Sequence, residues 1–201
     1  KNLGAMKKNI IAGYNISCVG DDNAYSYLPS RDGQTIADEV AMYVLNQVHP
    51  DFVQYSYLDR GSDERQYCSP GIDLPIASVM RTKYGAYKEY HTSLDDLDYV
   101  SAEGLFGAYD ILSRCIEHIE DYRIYKTTIL CEPQMGRRNL RSTLGAQTDM
   151  PANTMLMSHI LVYSDGKCDV LSMANKFGVS LTDLLEIVDI LVKEGLLEEV
   201  V

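Results

Sequence analysis

The sequence predicts an α/β layered domain followed by a small winged-helix (α+β) module. Three observations carry this expectation. Residues 9–19 are apolar on both faces in places, as in a buried strand of a largely parallel sheet. The elements then run strand, helix, strand, strand, helix up to about residue 121. Residues 152–201 read as three helices, a turn and a strand, which is a winged-helix pattern.

The first strand ends at Gly20-Asp21-Asp22-Asn23, and a loop is expected to run to Gly33. A helix over 35–48 follows, because Ile36, Val40, Val44 and Val48 recur every four residues and Ala37, Ala41 and Leu45 widen the stripe. Phe52 to Tyr57 is a short strand, 59–75 a Gly/Ser/Pro-rich loop, and Ile76 to Met80 a third strand. Ser101 caps a helix over 102–121, whose expected core face is Leu105, Tyr109, Leu112, Ile116 and Ile119. Pro133, Gly136, Arg137, Arg138, Arg141, Gly145 and Pro151 mark 132–151 as a linker or arm. The expected domains are therefore 1–131, the linker 132–151, and 152–201. Within the last, helices over 153–163, 169–176 and 181–194 are separated by the turn Asp165-Gly166-Lys167 and by Gly178, a C-cap position; Leu196 to Val200 forms the strand.

Bulk composition narrows the function. Net charge is −11, which argues against a general nucleic-acid or anionic-membrane surface. The tail module carries three lysines against eight carboxylates, so DNA binding is not expected of it, and a protein partner or a second copy fits better. No apolar run reaches the length of a membrane span. Five cysteines, Cys18, Cys68, Cys115, Cys131 and Cys168, show no paired spacing, which suggests reduced thiols and a cytoplasmic setting. Cys68 stands apart because it lies in the 59–75 loop.

The chemistry gathers in three loops, 20–32, 59–75 and 82–98, beyond the expected strand ends, where α/β sheets place their sites. Tyr90-His91-Thr92 with Asp95 offers an imidazole for a metal, a phenol for a developing oxyanion, and a carboxylate to hold the second ring nitrogen. Asp21 and Asp22 follow a strand and can reach a crevice, although Asp-Asp-Asn is also good turn chemistry. His49, His118 and His159 have no such company.

Tyr90-His91-Thr92 with Asp95 resembles the Y-H-T-x-x-D element of the co-catalytic zinc aminopeptidases. Gly61-Ser62-Asp63 resembles that family's S-D loop, and the run Gly61 to Gly71 is similar to a subgroup of aminopeptidase-like proteins with a C-terminal winged helix. The resemblance implies part of a three-layer α/β/α zinc-exopeptidase sheet and two zinc ions in the intact protein. It implies His91 as a zinc ligand and Asp21 or Asp22 as another, with Asp21 favoured. Tyr90 would be the oxyanion donor, Asp95 would support the imidazole, and Arg65 and Tyr67 would line the pocket for a peptide or amide substrate. It also implies that the H-x-D element and the paired glutamates lie upstream of residue 1, since the only adjacent glutamate pair is Glu198-Glu199 in the tail. The 201 residues alone are then expected to be inactive. The other expectation is a degenerate peptidase fold that binds or scaffolds without catalysis.

Overall fold

The computed structural model describes residues 2–138, 140 and 152–200. Arg141, Gly145 and Pro151 of the expected linker lie outside the described residues. The chain divides into two compact units, Lys1–Asp121 and Tyr122–Val201.

The first unit begins with helix α1 (Leu3–Asn9) and strand β1 (Gly13–Asn15). Strand β2 (Ser26–Leu28) lies inside the expected 20–32 loop. Helix α2 (Ile36–Val48), strand β3 (Val53–Gln54), the short helix α3 (Glu64–Tyr67), strand β4 (Ile76–Met80) and helix α4 (Ala102–Glu120) follow. The sheet order is β1-β4-β2-β3. β1 runs parallel to β4, with Tyr14 beside Ala77, and β2 runs parallel to β3. β2 is antiparallel to β4, with Tyr27 beside Val79. The sheet is thus mixed rather than largely parallel, because β2 is an unforeseen strand between β4 and β3. Its Ser-Tyr-Leu is fully buried yet reads as polar in sequence.

Another buried polar device explains how the chain leaves β2. Asp38, in the first turn of α2, is buried and accepts from the Tyr27 hydroxyl at 2.7 Å, from Ser30 N–H at 2.8 Å and from Thr35 N–H at 2.9 Å. One carboxylate therefore binds the strand, the loop and the helix start, each through a charge-assisted bond worth more than a neutral one. Burial and this carboxylate hold the Tyr27 phenol well above its ordinary pKa, so it remains a donor.

α2 packs against α4, and both pack against β4. Val40, Ala41, Val44 and Leu45 meet Ala77, Val79, Ala108 and Ile111 in this core. The Ser101 hydroxyl accepts Gly104 N–H at 2.9 Å, so the helix starts where its cap predicts. Its buried face is not the predicted one. Gly104, Ala108, Ile111 and Cys115 face inward, while Leu105, Tyr109 and Ile116 are 49%, 69% and 57% exposed. Close approach selects small residues here: a Cβ at Gly104 would lie 2.1 Å from the Gly20 carbonyl oxygen. Cys115 Sγ is buried against Tyr14, and burial pushes its pKa up to about 12.

In the second unit, strand β5 (Ile124–Thr127) precedes helix α5 (Ala152–Tyr163), strand β6 (Asp165–Asp169), helices α6 (Val170–Phe177) and α7 (Leu181–Lys193), and strand β7 (Leu197–Glu199). The three strands form an antiparallel sheet, β6-β5-β7. The unit therefore begins at 122 rather than after 151, because β5 is its central strand. Part of the expected linker belongs to it as well: Met135 is buried, and Arg138 Nη1 donates to Glu194 O at 3.1 Å. Asp165-Gly166-Lys167 is strand with a left-handed Gly166 (φ 83°) rather than a free turn. α6 ends at Gly178 in the left-handed conformation (φ 67°), as its sequence predicts. Leu171, Met173, Leu184, Val188 and Leu191 form the helical core.

Gly104→Ala is expected to lower the stability of the first unit by roughly 1–3 kcal/mol through overpacking. Tyr109→Ser on the outward stripe is expected to change it by less than about 0.5 kcal/mol. Denaturant unfolding of the two variants distinguishes the packed face from the open one.

Candidate active site

A cleft of about 540 Å³ opens where the segment after β1, the turn before α3, the loop after β4 and the first turn of α4 come together. Asp21, Ser62, Tyr90, His91 and Asp95 line it, with Cys18, Tyr87 and Tyr99 in its walls. Groups from distant parts of the chain thus share one concavity.

Two buried carboxylates hold the cleft in shape. The first is Asp21. Its Oδ1 accepts the Thr82 hydroxyl at 2.5 Å and Asn23 N–H at 3.1 Å, and its Oδ2 accepts Thr82 N–H at 3.0 Å. Arg81 Nε donates to the Asp21 carbonyl at 2.7 Å, and its guanidinium lies 3.7 Å above the Tyr25 ring. The turn after β1 is thereby locked to the residues after β4. Asp22 is exposed and does not line the cleft.

The second carboxylate, Glu64, escaped the sequence reading. It is fully buried. Oε1 accepts Gly61 N–H and Ser62 N–H, both at 2.8 Å, and the Tyr84 hydroxyl at 2.7 Å; Oε2 accepts Asn15 Nδ2 at 3.0 Å. Burial pushes its pKa up, but the bonds from Ser62, Tyr84 and Gly61 outweigh burial and hold the carboxyl below its ordinary range. Burial and Glu64 together raise the Tyr84 phenol, so it stays a donor. The only signal in the sequence was its position at the end of Gly61-Ser62-Asp63-Glu64.

Tyr90 is half-buried and packs against the cluster of Leu28, Met80 and Tyr84. Its ring stacks on His91 with centroids 3.9 Å apart and meets Tyr87 edge-on at 5.7 Å. His91 is exposed and has φ 59°, a left-handed conformation that histidine tolerates better than most residues. Cys18 is also left-handed (φ 50°) and accepts the Tyr87 hydroxyl at 3.6 Å. Burial and Cys18 raise the Tyr87 phenol. Backbone held in such conformations concentrates at functional sites. Asp95 shares the cleft with His91, but no hydrogen bond joins the two side chains.

The other candidates lie elsewhere. Arg65 is exposed, with Nε donating to Ser62 O at 3.1 Å, and it does not line the cleft. Tyr67 lines a separate groove of about 520 Å³ along β1, with Tyr14, Ile16 and Ile76. Cys68 is buried, donates to Leu74 O and Ile76 O, and has its thiol pKa raised by burial, so it is a packing residue. His49 stacks on Tyr25 at 3.8 Å, and His118 sits edge-on to Tyr43 with its pKa lowered by burial. His159 faces Phe177. Among the described residues, no three His, Cys, Asp or Glu side chains converge as a metal site. The donors lining the cleft are the His91 imidazole, the Cys18 thiol that accepts the Tyr87 hydroxyl, the exposed carboxylate of Asp95, and an Asp21 carboxylate already engaged by backbone and hydroxyl donors.

A mixed α/β unit with its cleft beyond the strand ends, joined to a winged helix, has a peptidase-like counterpart. A Clostridium acetobutylicum crystal structure described as a "putative peptidase" superposes with a TM-score of 0.78 at 34% identity, over 96% of this chain and 43% of that one. Residues 1–122 match the family described as a domain of unknown function (DUF4910), and the chain belongs to that family. Residues 123–199 match a winged helix-turn-helix family. A Clostridium acetobutylicum relative named "Putative polysaccharide biosynthesis protein with aminopeptidase-like domain" is 36% identical over 192 residues, 95% of this chain and 44% of the relative. The chain spans less than half the length of these relatives.

Since the folded pKa of Glu64 lies below its ordinary value of 4.5, its bonds stabilise the fold fully above that value and are lost as pH falls through the folded pKa. Glu64→Gln is expected to cost at least about 1.5 kcal/mol at neutral pH, through weakened bonds to a charged acceptor. The gap to the wild-type chain should narrow as pH falls from 4.5 through the lower folded pKa. Thermal unfolding of both chains across that range checks it.

Proposed function

We propose that this segment belongs to a zinc-dependent hydrolase that cleaves a peptide or amide bond near a free terminus. The observation that carries the reading is the meeting of Asp21 with Tyr90, His91 and Asp95 in one cleft. His91 would be a metal ligand. Asp21 is preferred to Asp22 as the acidic partner because it lines the cleft and its Oδ2 accepts only the Thr82 N–H. Zinc, when bound, polarises a carbonyl and generates a nucleophilic water. It takes at least three protein ligands, so the remaining ligands and the general base would come from chain beyond these residues, as in the longer relatives. Tyr90 lies beside His91 and would donate to the oxyanion. Asp95, which lines the same cleft, would orient the imidazole. Ser62 and Tyr87 are better placed than Arg65 and Tyr67 to touch substrate, since both line the cleft.

The winged helix would serve a protein partner rather than DNA. The exposed positions of α7 include Asp183, Glu186 and Asp189 against Lys193, with Glu194 exposed at its C-cap, an array that repels phosphate. Among the described residues no helix is long and apolar enough to cross a membrane. The proposed setting is cytoplasmic, because the five cysteines show no paired spacing in the sequence.

In a protein carrying this segment with the additional chain of its relatives, His91→Ala is expected to lose zinc and turnover together. Tyr90→Phe should keep zinc and slow turnover by about 10²–10³-fold, the usual loss for one oxyanion donor. Elemental analysis beside peptide-hydrolysis rates checks both, and full zinc in His91→Ala would contradict the assignment. Absence of zinc from the unaltered protein would favour a binding module without catalysis. A mobility-shift assay at low salt is expected to show no DNA complex, and a salt-sensitive shift would refute the partner assignment.

A further inference from the structure

We propose that Glu64 is a positioning residue for the cleft: through Tyr84 it fixes where Tyr90 and His91 present their side chains. This rests on reading the cleft as the site, and it assigns a role to a residue that makes no contact with the space inside. The four donors on its carboxylate come from three separate segments: Asn15 on β1, Gly61 and Ser62 in the turn before α3, and Tyr84 at the root of the loop that carries Tyr90 and His91. One of the donors, Ser62, itself lines the cleft.

The Tyr84 hydroxyl is fixed from both sides. It donates to Glu64 and accepts Gly61 N–H at 2.7 Å. Its ring closes over Gly61 so tightly that a Cβ there would lie 2.7 Å from Tyr84 Cε2. Lys83 Nζ, 4.2 Å above the same ring, donates to the Tyr84 carbonyl. A ring held at its hydroxyl, its face and its backbone cannot slide. Tyr90 rests against that ring at 6.2 Å, and His91 stacks on Tyr90 at 3.9 Å. The order of support is therefore Glu64, Tyr84, Tyr90, His91, from a buried charge out to an exposed imidazole. Residues 91–98 are all exposed, so His91 meets the buried structure through the Tyr90 ring, which rests on Tyr84 and Tyr87. A buried carboxylate that accepts four donors orients its surroundings more stringently than an apolar side chain of equal volume, since each lost bond leaves a buried polar group unpaired.

The test uses this chain with ¹³C-labelled tyrosine and histidine rings. The variants are Glu64→Gln, Tyr84→Phe and, as a control for general loss of stability, Ile111→Val in the helical core. Tyr84→Phe keeps the ring and removes one hydroxyl, so it folds even if Glu64→Gln does not. Both site variants are expected to shift the Tyr90 and His91 ring signals and to speed hydrogen exchange at the Gly61 and Ser62 amides at least about tenfold. Ile111→Val should lower the melting temperature and leave those ring signals in place. Tyr90 and His91 signals that coincide with the wild-type chain in Tyr84→Phe, with the amides exchanging faster, would overturn the proposal and leave Glu64 with a structural role only. No metal or substrate enters the measurement, so failure of the zinc reading and failure of this one are separately visible.

Discussion

The cleft exists because the Asp21 carboxylate joins two chain segments that leave the sheet side by side. β1 and β4 are parallel neighbours, so the segments after them emerge at the same end of the sheet. Parallel pairing alone leaves those segments free to diverge. Thr82 donates both its N–H and its hydroxyl to Asp21, and Arg81 donates to the Asp21 carbonyl. Arg81 can be buried there because the Tyr25 ring covers its guanidinium and Gly107 leaves it room. α4 can begin directly behind because Gly104 tolerates contact with the Gly20 and Asp21 backbone. Removing the carboxylate would leave the half-buried Thr82 N–H and hydroxyl without this acceptor and would untie the floor of the cleft.

Asp21 and Glu64 divide the work by location. Asp21 fixes the floor, and Glu64 fixes the wall from which Tyr90 and His91 project. Both act through donors supplied by backbone as well as side chains, which makes their effect hard to see in a sequence. His91 and Asp95 are the exposed members of the cleft's donor set.

Much of the architecture was legible. The four-residue recurrence from Ile36 to Val48 gave α2, and Ser101 marked the start of α4, because both signals are local. The core face of α4 was not legible. Hydrophobic periodicity favoured Leu105, Tyr109 and Ile116, but the first turn of the helix lies so close to the Gly20–Asp21 backbone that only glycine fits at 104, and the inward face continues through Ala108, Ile111 and Cys115. β2 was hidden because its buried serine reads as loop chemistry. β5 was hidden for a topological reason: the central strand of the winged helix is contributed from before α5, far from the rest of its sheet in sequence. In the cleft, Tyr90, His91, Asp95 and Asp21 were legible as chemically capable residues in loops. Glu64, Thr82 and Tyr84 were not, since their importance lies in hydrogen bonds between distant segments. Arg65 and Tyr67 sat in a recognisable motif, yet α3 carries them away from the cleft.

The most direct test is an anomalous difference map, collected at the zinc edge, from crystals of a protein that carries this segment with the additional chain of its relatives. A peak in the cleft at bonding distance, about 2 Å from a ring nitrogen of His91, is the predicted result. Zinc found only outside the cleft, with the His91 imidazole unattached, would contradict the account.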